Sequence, residues 1–168
     1  MKISQKGLYA LQALMMLARH YRQGAIKIRD IAYEEVLPEK FLELILLELK
    51  NARMVESVRG AKGGYRLRRE PAEIAMSEII RLIDGPLAPF ADAEQLRELI
   101  DLDLEHRSLY KVFLDVRDAA ARILDSTSLA DLISQAAPRS FKTTKISELP
   151  RKEAARVLPM VVGGVKGE

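Results

Sequence analysis

Met54-Val-Glu-Ser-Val-Arg-Gly-Ala-Lys-Gly-Gly-Tyr-Arg-Leu-Arg-Arg69 is the stretch on which the fold turns. It predicts a β-hairpin. Val55 to Arg59 forms one arm and Tyr65 to Arg69 the other, with Gly60, Gly63 and Gly64 in the connection, where glycine adopts positive φ at little cost. Strand residues alternate faces, so Tyr65 and Leu67 share one side while Arg66 and Arg68 share the other. Arg59 and Lys62 ride near the tip. An apolar side to stand on and a cationic tip held off the core suit a wing that lies along a DNA backbone or enters a minor groove. The plainer alternative is a solvated hairpin whose arginines only aid solubility. The segments upstream bear on that choice.

Ser4 can cap a helix running to about Tyr21, in which Leu8, Leu11, Met15 and Ala18 form one apolar stripe and Ala10, Leu14, Leu17 and Tyr21 the next. Gln23-Gly24 ends it. Ala25 to Ile28 is extended and can pair beside the hairpin. Arg29 to Val36 predicts a short second helix with Ile31, Ala32 and Val36 facing inward. Pro38 suits the first position of a third helix, Pro38 to Ala52, and Glu39 favours its positive end. Position 37 is leucine, so no good side-chain cap precedes it. Helix, strand, helix, tight turn, helix, hairpin is the order of a winged helix-turn-helix, whose third helix reads the major groove. At 100° per residue, Phe41, Leu42, Ile45, Leu49 and Ala52 project inward, and Lys40, Glu43, Leu44, Leu47, Lys50 and Asn51 outward. Two leucines on the outer face are unusual. They could touch thymine methyls, or they belong to the core with the helix rotated from this projection; core packing is the expectation here.

Composition narrows the function classes. Of 168 residues, 48% are apolar, enough for a core and too many for a disordered chain. There is no cysteine, which removes disulfides, thiolate metal sites and a cysteine nucleophile. No apolar run is long enough to span a membrane and no signal-peptide core is visible, so a cytoplasmic protein without membrane contact is expected. Net charge is +3, unevenly spread: +6 over residues 1–70, −7 over 71–135 and +4 over 136–168. A basic first part on an acidic middle suggests that one part meets a polyanion and the other does not. An enzyme is not expected. His20 and His106 lack a partner serine motif, and Gly60 to Gly64 opens no helix, so it is no P-loop.

Residues 72–84 predict a further helix with Ile74, Ile79, Ile80 and Ile83 apolar and Gly85-Pro86 as its stop. Pro86 to Arg107 is acidic. Asp92, Glu98 and His106 include adequate metal ligands, but their spacing is not diagnostic, and a solvated loop with a short helix is the expectation. Residues 107–125 form a long helix with Leu109, Val116 and Ile123 seven apart and Val112, Phe113, Ala119 and Ala120 between them. This heptad seam suits a helix pair between two protomers, or packing against the chain's own winged domain. Ser128-Leu-Ala-Asp131 reads as a capping box opening a last helix. After Pro138 the pattern decays, and residues 136–168 form an unassigned tail.

Lys2-Ile-Ser4-x-Lys6-Gly7-x-Tyr9-Ala10-Leu11, Phe41-Leu42-Glu43 and Val55-x-Ser57-Val58-Arg59-Gly60-x-Lys62-Gly63-Gly64-Tyr65-x-Leu67 resemble the Rrf family of bacterial winged-helix transcription regulators, the group that contains IscR, NsrR and CymR. The likeness continues at Ile79-Ile80-Arg81, Gly85-Pro86-Leu87, Leu124-Asp125-Ser126 and Leu129-Ala130-Asp131-Leu132. It implies a mainly α fold with a small β-hairpin wing: a winged helix-turn-helix over 1–85, a connecting segment and dimerisation helix over 86–135, and the tail. It implies a homodimeric, sequence-specific regulator, expected to be a repressor, on a roughly palindromic double-stranded operator. By that likeness Lys6 and Tyr9 lie near the DNA backbone. Lys40, Phe41, Glu43 and Leu44 start the reading helix, and Arg59 and Lys62 reach the groove from the wing. It also favours dimerisation for the seam of Leu109, Val112, Phe113, Val116, Ala120 and Ile123. Many family members place three cysteines in the connecting segment to hold an iron–sulfur cluster. This chain departs completely, so no cluster and no other cofactor is expected; the remaining signals are a small molecule, a protein partner or, ranked behind both, none at all. The alternative function is a winged-helix module that binds protein without reading DNA.

Overall fold

Ser4 starts the first helix, as its position predicts: its hydroxyl accepts from the Gly7 N–H at 2.9 Å and donates to the Asp84 carboxylate, which also receives the Ser4 N–H at 2.9 Å. A computed structural model of the chain describes residues 3–85 and 93–135. It contains α1 (Gln5–Arg19), α2 (Ile28–Glu34), α3 (Glu39–Asn51), β1 (Val55–Val58), β2 (Gly64–Leu67), a 3-10 turn (Pro71–Glu73), α4 (Met76–Asp84), α5 (Ala93–Leu102), α6 (Arg107–Ser126) and α7 (Leu129–Gln135). Pro86, Asp92 and the tail of residues 136–168 lie outside the described residues.

The core forms around α1, which buries Tyr9, Ala10, Leu11, Ala13, Leu14, Met16, Leu17 and Ala18. Leu42, Ile45, Leu46 and Leu49 of α3 pack in the same cluster, with Ile31, Met54, Val55, Leu67, Ile79 and Ile80. Leu124 and Leu129 join it, so the end of α6 and the start of α7 are anchored to the winged region. A Cβ at Gly7 would meet the Asp84 carboxylate, which Ser4 holds in place.

Both ends of the helix-turn-helix close by the same device. The Leu37 N–H returns to Ala32 O at 2.8 Å, and the Met54 N–H to Leu49 O at 2.9 Å, across Val36 and Arg53 at φ 55° and 60°. This is the Schellman closure, in which the residue after the left-handed position turns into the core. Leu37 and Met54 are accordingly buried.

That closure corrects two expectations. Val36 faces solvent at 53% exposure, because α2 ends at Glu34 and position 36 must take the left-handed conformation. Ala52 is the exposed cap of α3 rather than an inward residue. Leu8 is also 50% exposed, at the edge of the stripe expected to be buried, and Phe41 is 36% exposed. Leu44 and Leu47 do not enter the core: they are 60% and 52% exposed, and Leu46 takes the inward place. The remaining inward positions of the α3 projection hold.

The strands pair antiparallel with Val55 opposite Leu67 and Val58 opposite Gly64. Ile26 extends the ladder, exchanging hydrogen bonds of 2.9 and 2.8 Å with Tyr65, so the piece at 25–28 does pair beside the hairpin before α2 starts at Ile28. Gly60 and Gly64 have φ of 103° and 154°. Gly63 does not need positive φ; glycine is required there because a Cβ would press on Val58 O and Gly60 O. The helix expected over 72–84 is broken. Ile74 is extended at φ −109° and ψ 104°, and residues 74–76 hydrogen-bond to 127–129. Leu129 N–H donates to Ile74 O at 2.9 Å and Met76 N–H to Thr127 O at 2.8 Å, so a two-residue bridge displaces the helix start to Met76. Gly85 ends α4 at φ 83°. Ser128 and Asp131 form the expected reciprocal cap of α7. Among the described residues no helix is long and apolar enough to cross a membrane.

Candidate nucleic-acid interface

The outer face of α3 carries Lys40, Glu43, Leu44, Leu47, Lys50 and Asn51, all exposed. It faces outward because the opposite face supplies Leu42, Ile45, Leu46 and Leu49 to the core. Phe41 is held in the first turn by Tyr9, whose ring meets it edge-on at 5.9 Å and 81°. Tyr9 itself is only 6% exposed, and its hydroxyl accepts from Gln5 Nε2 at 2.7 Å. It seats the start of α3 rather than presenting a free surface. Lys6 is also engaged, with Glu48 Oε2 at 2.5 Å, so α1 is tied to the middle of α3. Both side chains are about one-third exposed, a setting in which an ion pair is weak and a phosphate can compete for the lysine.

The hairpin divides its cations into two groups. Arg66 is held by Glu56 across the strands at 2.6 Å, and Arg69 by Glu78 at 2.5 Å. Arg59, Lys62 and Arg68 are exposed and make no ion pair among the described residues. The tip therefore offers its charge to solvent, while the paired arginines stiffen the base. The alternation of the arm predicted the exposure of Arg66 and Arg68, but not that one has a carboxylate partner and the other none.

The second surface is on α6. Leu109, Val112, Val116 and Ile123 are 47%, 56%, 49% and 64% exposed, with Phe113 and Ala120 partly buried beside them. A 20-residue helix with that much apolar side chain in water has a face left to cover. At the corner between α5 and α6, Asp103 accepts from the Tyr110 hydroxyl at 2.9 Å, from the His106 N–H at 3.1 Å, and lies 3.0 Å from His106 Nδ1. These bonds, the backbone one first, hold its carboxyl below the usual range, and the same contact raises the Tyr110 phenol. The corner thus closes on itself. No group of three or more metal-ligating side chains assembles among the described residues. Iron–sulfur clusters are held by cysteine thiolates; this chain has none, and the residues present do not fit such a cluster.

Comparison with known proteins gives the family. The profile of the Rrf2 family, described as iron-dependent transcriptional regulators, matches residues 3–135. The transcriptional regulator CymR of Bacillus subtilis is 38% identical over 134 residues, 80% of this chain and 91% of that protein. The regulator IscR of Aliivibrio salmonicida is 38% identical over 134 residues, 79% of this chain and 77% of that protein. Among solved structures, CymR, described as the global cysteine regulator of B. subtilis, superposes with a TM-score of 0.71 at 36% identity, covering 82% of this chain and 99% of its own. IscR of T. potens gives 0.62 at 34% identity, covering 82% and 93%. These relatives are transcription regulators and not enzymes. With its helix-turn-helix, hairpin wing and long α6 in the same order, this chain belongs to the Rrf2 family of winged-helix, DNA-binding transcription regulators.

Proposed function

We propose that the protein is a cytoplasmic homodimeric repressor that binds a roughly palindromic duplex operator and needs no iron–sulfur cluster or other cofactor. In this reading residues 1–85 bind DNA, 86–135 connect and dimerise, and 136–168 carry no assigned role. The observation that carries it is the pairing of an outward α3 face with a wing tip whose Arg59 and Lys62 have no ion-pair partner among the described residues. Lys40, Phe41, Glu43 and Leu44 enter the major groove, Arg59 and Lys62 reach backbone or minor groove, and Lys6 and Tyr9 sit at the helix edge of the site. The seam of Leu109, Val112, Phe113, Val116, Ala120 and Ile123 accepts the same seam of a second copy. An effector, small molecule or protein, acts through the segment between winged region and α6. The carboxylates of that segment favour a cationic ligand or a basic partner.

Selection of bound fragments from random duplex DNA tests this directly. The expected product is a pair of half-sites centred about one helical turn, or a multiple, apart. The log of the affinity should fall with log salt by about 0.9 for each phosphate neutralised. A flat salt response, or a monomer that binds as tightly as the dimer, refutes the reading. Retention on protein alone with no DNA selected would place the exposed leucines of α3 in a protein-binding site instead.

A further inference from the structure

We infer that Leu44 and Leu47 set part of the operator sequence by packing against the 5-methyl groups of two thymines on neighbouring base pairs. The inference rests on α3 being the groove-facing helix and names what that helix reads. Both side chains are more than half exposed, on the face opposite Leu42, Ile45, Leu46 and Leu49, so neither has a place in the chain's own core. Neither can donate or accept a hydrogen bond, so neither can read the polar pattern of a base edge. In the major groove, the apolar feature on those edges is the thymine methyl, which cytosine lacks. The two positions are three residues apart, about 4.5 Å along a helix axis, close to the roughly 3.4 Å step between bases. They stand between Lys40 and Lys50, both exposed and both without an ion pair among the described residues. A polyanion held by those lysines and by the wing brings the leucines onto base edges.

A protein occupant is the poorer fit. The apolar patch is small and lies on the same basic winged region as the open cations Arg59 and Lys62, which a protein interface would have to desolvate. A second copy already has the longer seam of α6 to cover.

The test replaces thymine by uracil, which removes the methyl and nothing else. An operator selected from random duplexes is resynthesised with each major-groove thymine of the half-site changed in turn, and binding to the full chain is followed by fluorescence anisotropy. One or two adjacent changes per half-site should weaken the parent about fourfold each, the worth of one buried methyl. Leu44→Ala and Leu47→Ala should each lose that sensitivity at one position and bind the uracil duplex no worse than the thymine duplex. The side chains are outside the core, so the variants should keep the parent's circular dichroism. A parent that binds the selected operator equally well with every thymine replaced overturns the inference and leaves the regulator reading standing. A chain that selects no sequence overturns both.

Discussion

Gly64→Ala is the sharpest test of how the wing is held. A Cβ at this position would press on the carbonyl oxygen of Ile26 and lie 2.8 Å from the Lys27 nitrogen, and both neighbours are backbone. Backbone in a ladder cannot step aside as a side-chain tip can. To make room, β2 must part from residues 25–27 and give up the two Ile26–Tyr65 hydrogen bonds of 2.9 and 2.8 Å. Each is worth about 0.5–1.5 kcal/mol net, and an alanine at the φ of 154° adds roughly 1 kcal/mol of strain. The total is about 3 kcal/mol, a large part of a typical stability of about 5–15 kcal/mol. Urea unfolding at matched protein concentration should show a midpoint lower by about 1–2 M with an unchanged slope. Gly60→Ala is the internal comparison, since a Cβ there meets nothing within 4 Å and only the φ of 103° is strained; it should lose about 1 kcal/mol. Operator affinity should fall tenfold or more for Gly64→Ala under conditions where it remains folded, because the wing is re-aimed. If Gly64→Ala is as stable as Gly60→Ala, the bridge to Ile26 does not anchor the wing and the argument is wrong.

Three further outcomes follow from the same geometry. Arg59→Ala should weaken operator binding by about 1–3 kcal/mol and change preference at the base pairs beneath it, while Lys62→Ala should weaken all sequences alike; two variants that bind like the parent would remove the hairpin from the interface. Val116→Asp or Ile123→Asp would place an unpaired charge in the α6 seam, and sedimentation should then report monomer; a folded variant that remains dimeric would locate the interface elsewhere. Anaerobic reconstitution with iron and sulfide should leave the protein colourless, with DNA binding indifferent to oxygen and nitric oxide; stoichiometric iron retained through gel filtration would contradict the cofactor-free reading.

The architecture was legible because its signals are local. Ser4 before an apolar stripe, Pro38-Glu39 at a helix start, the Gly60 to Gly64 connection and the Ser128/Asp131 cap each depend on residues within a few positions. The differences cluster where the chain leaves an ideal helix. Val36 and Ala52 fall inward on a 3.6-residue wheel, yet α2 and α3 close with Schellman turns that hand the buried place to Leu37 and Met54. No glycine marks either turn, so the usual sign of such a closure was missing. The apolar spacing of Ile74 fits a helix that the chain does not form there. Its carbonyl accepts from the Leu129 N–H, and two residues on the Met76 N–H donates to Thr127 O; these partners lie more than fifty residues away and are bonded through backbone atoms that leave no trace in side-chain pattern.

The candidate site was legible as a set of residues but not as a set of available charges. Sequence gives the first seventy residues a net +6, as if all their cations were equivalent. Folding separates them. Lys6, Arg22, Arg66 and Arg69 each acquire a carboxylate from elsewhere in the chain, Glu48, Glu70, Glu56 and Glu78. Lys40, Lys50, Arg59, Lys62 and Arg68 acquire none among the described residues. Arg22, Arg66 and Arg69 fasten the hairpin to its surroundings, so a lost member costs rigidity before it costs affinity, while Lys6 ties α1 to α3 through a part-exposed pair that a phosphate can displace. The open group lies on the outer face of α3 and on the hairpin, and these are the charges that can release counterions from a phosphate backbone. The distinction has a measurable form: Lys62→Ala should lower the salt slope by about one, whereas Arg66→Ala should leave the slope near the parent's and act through the hairpin's stability.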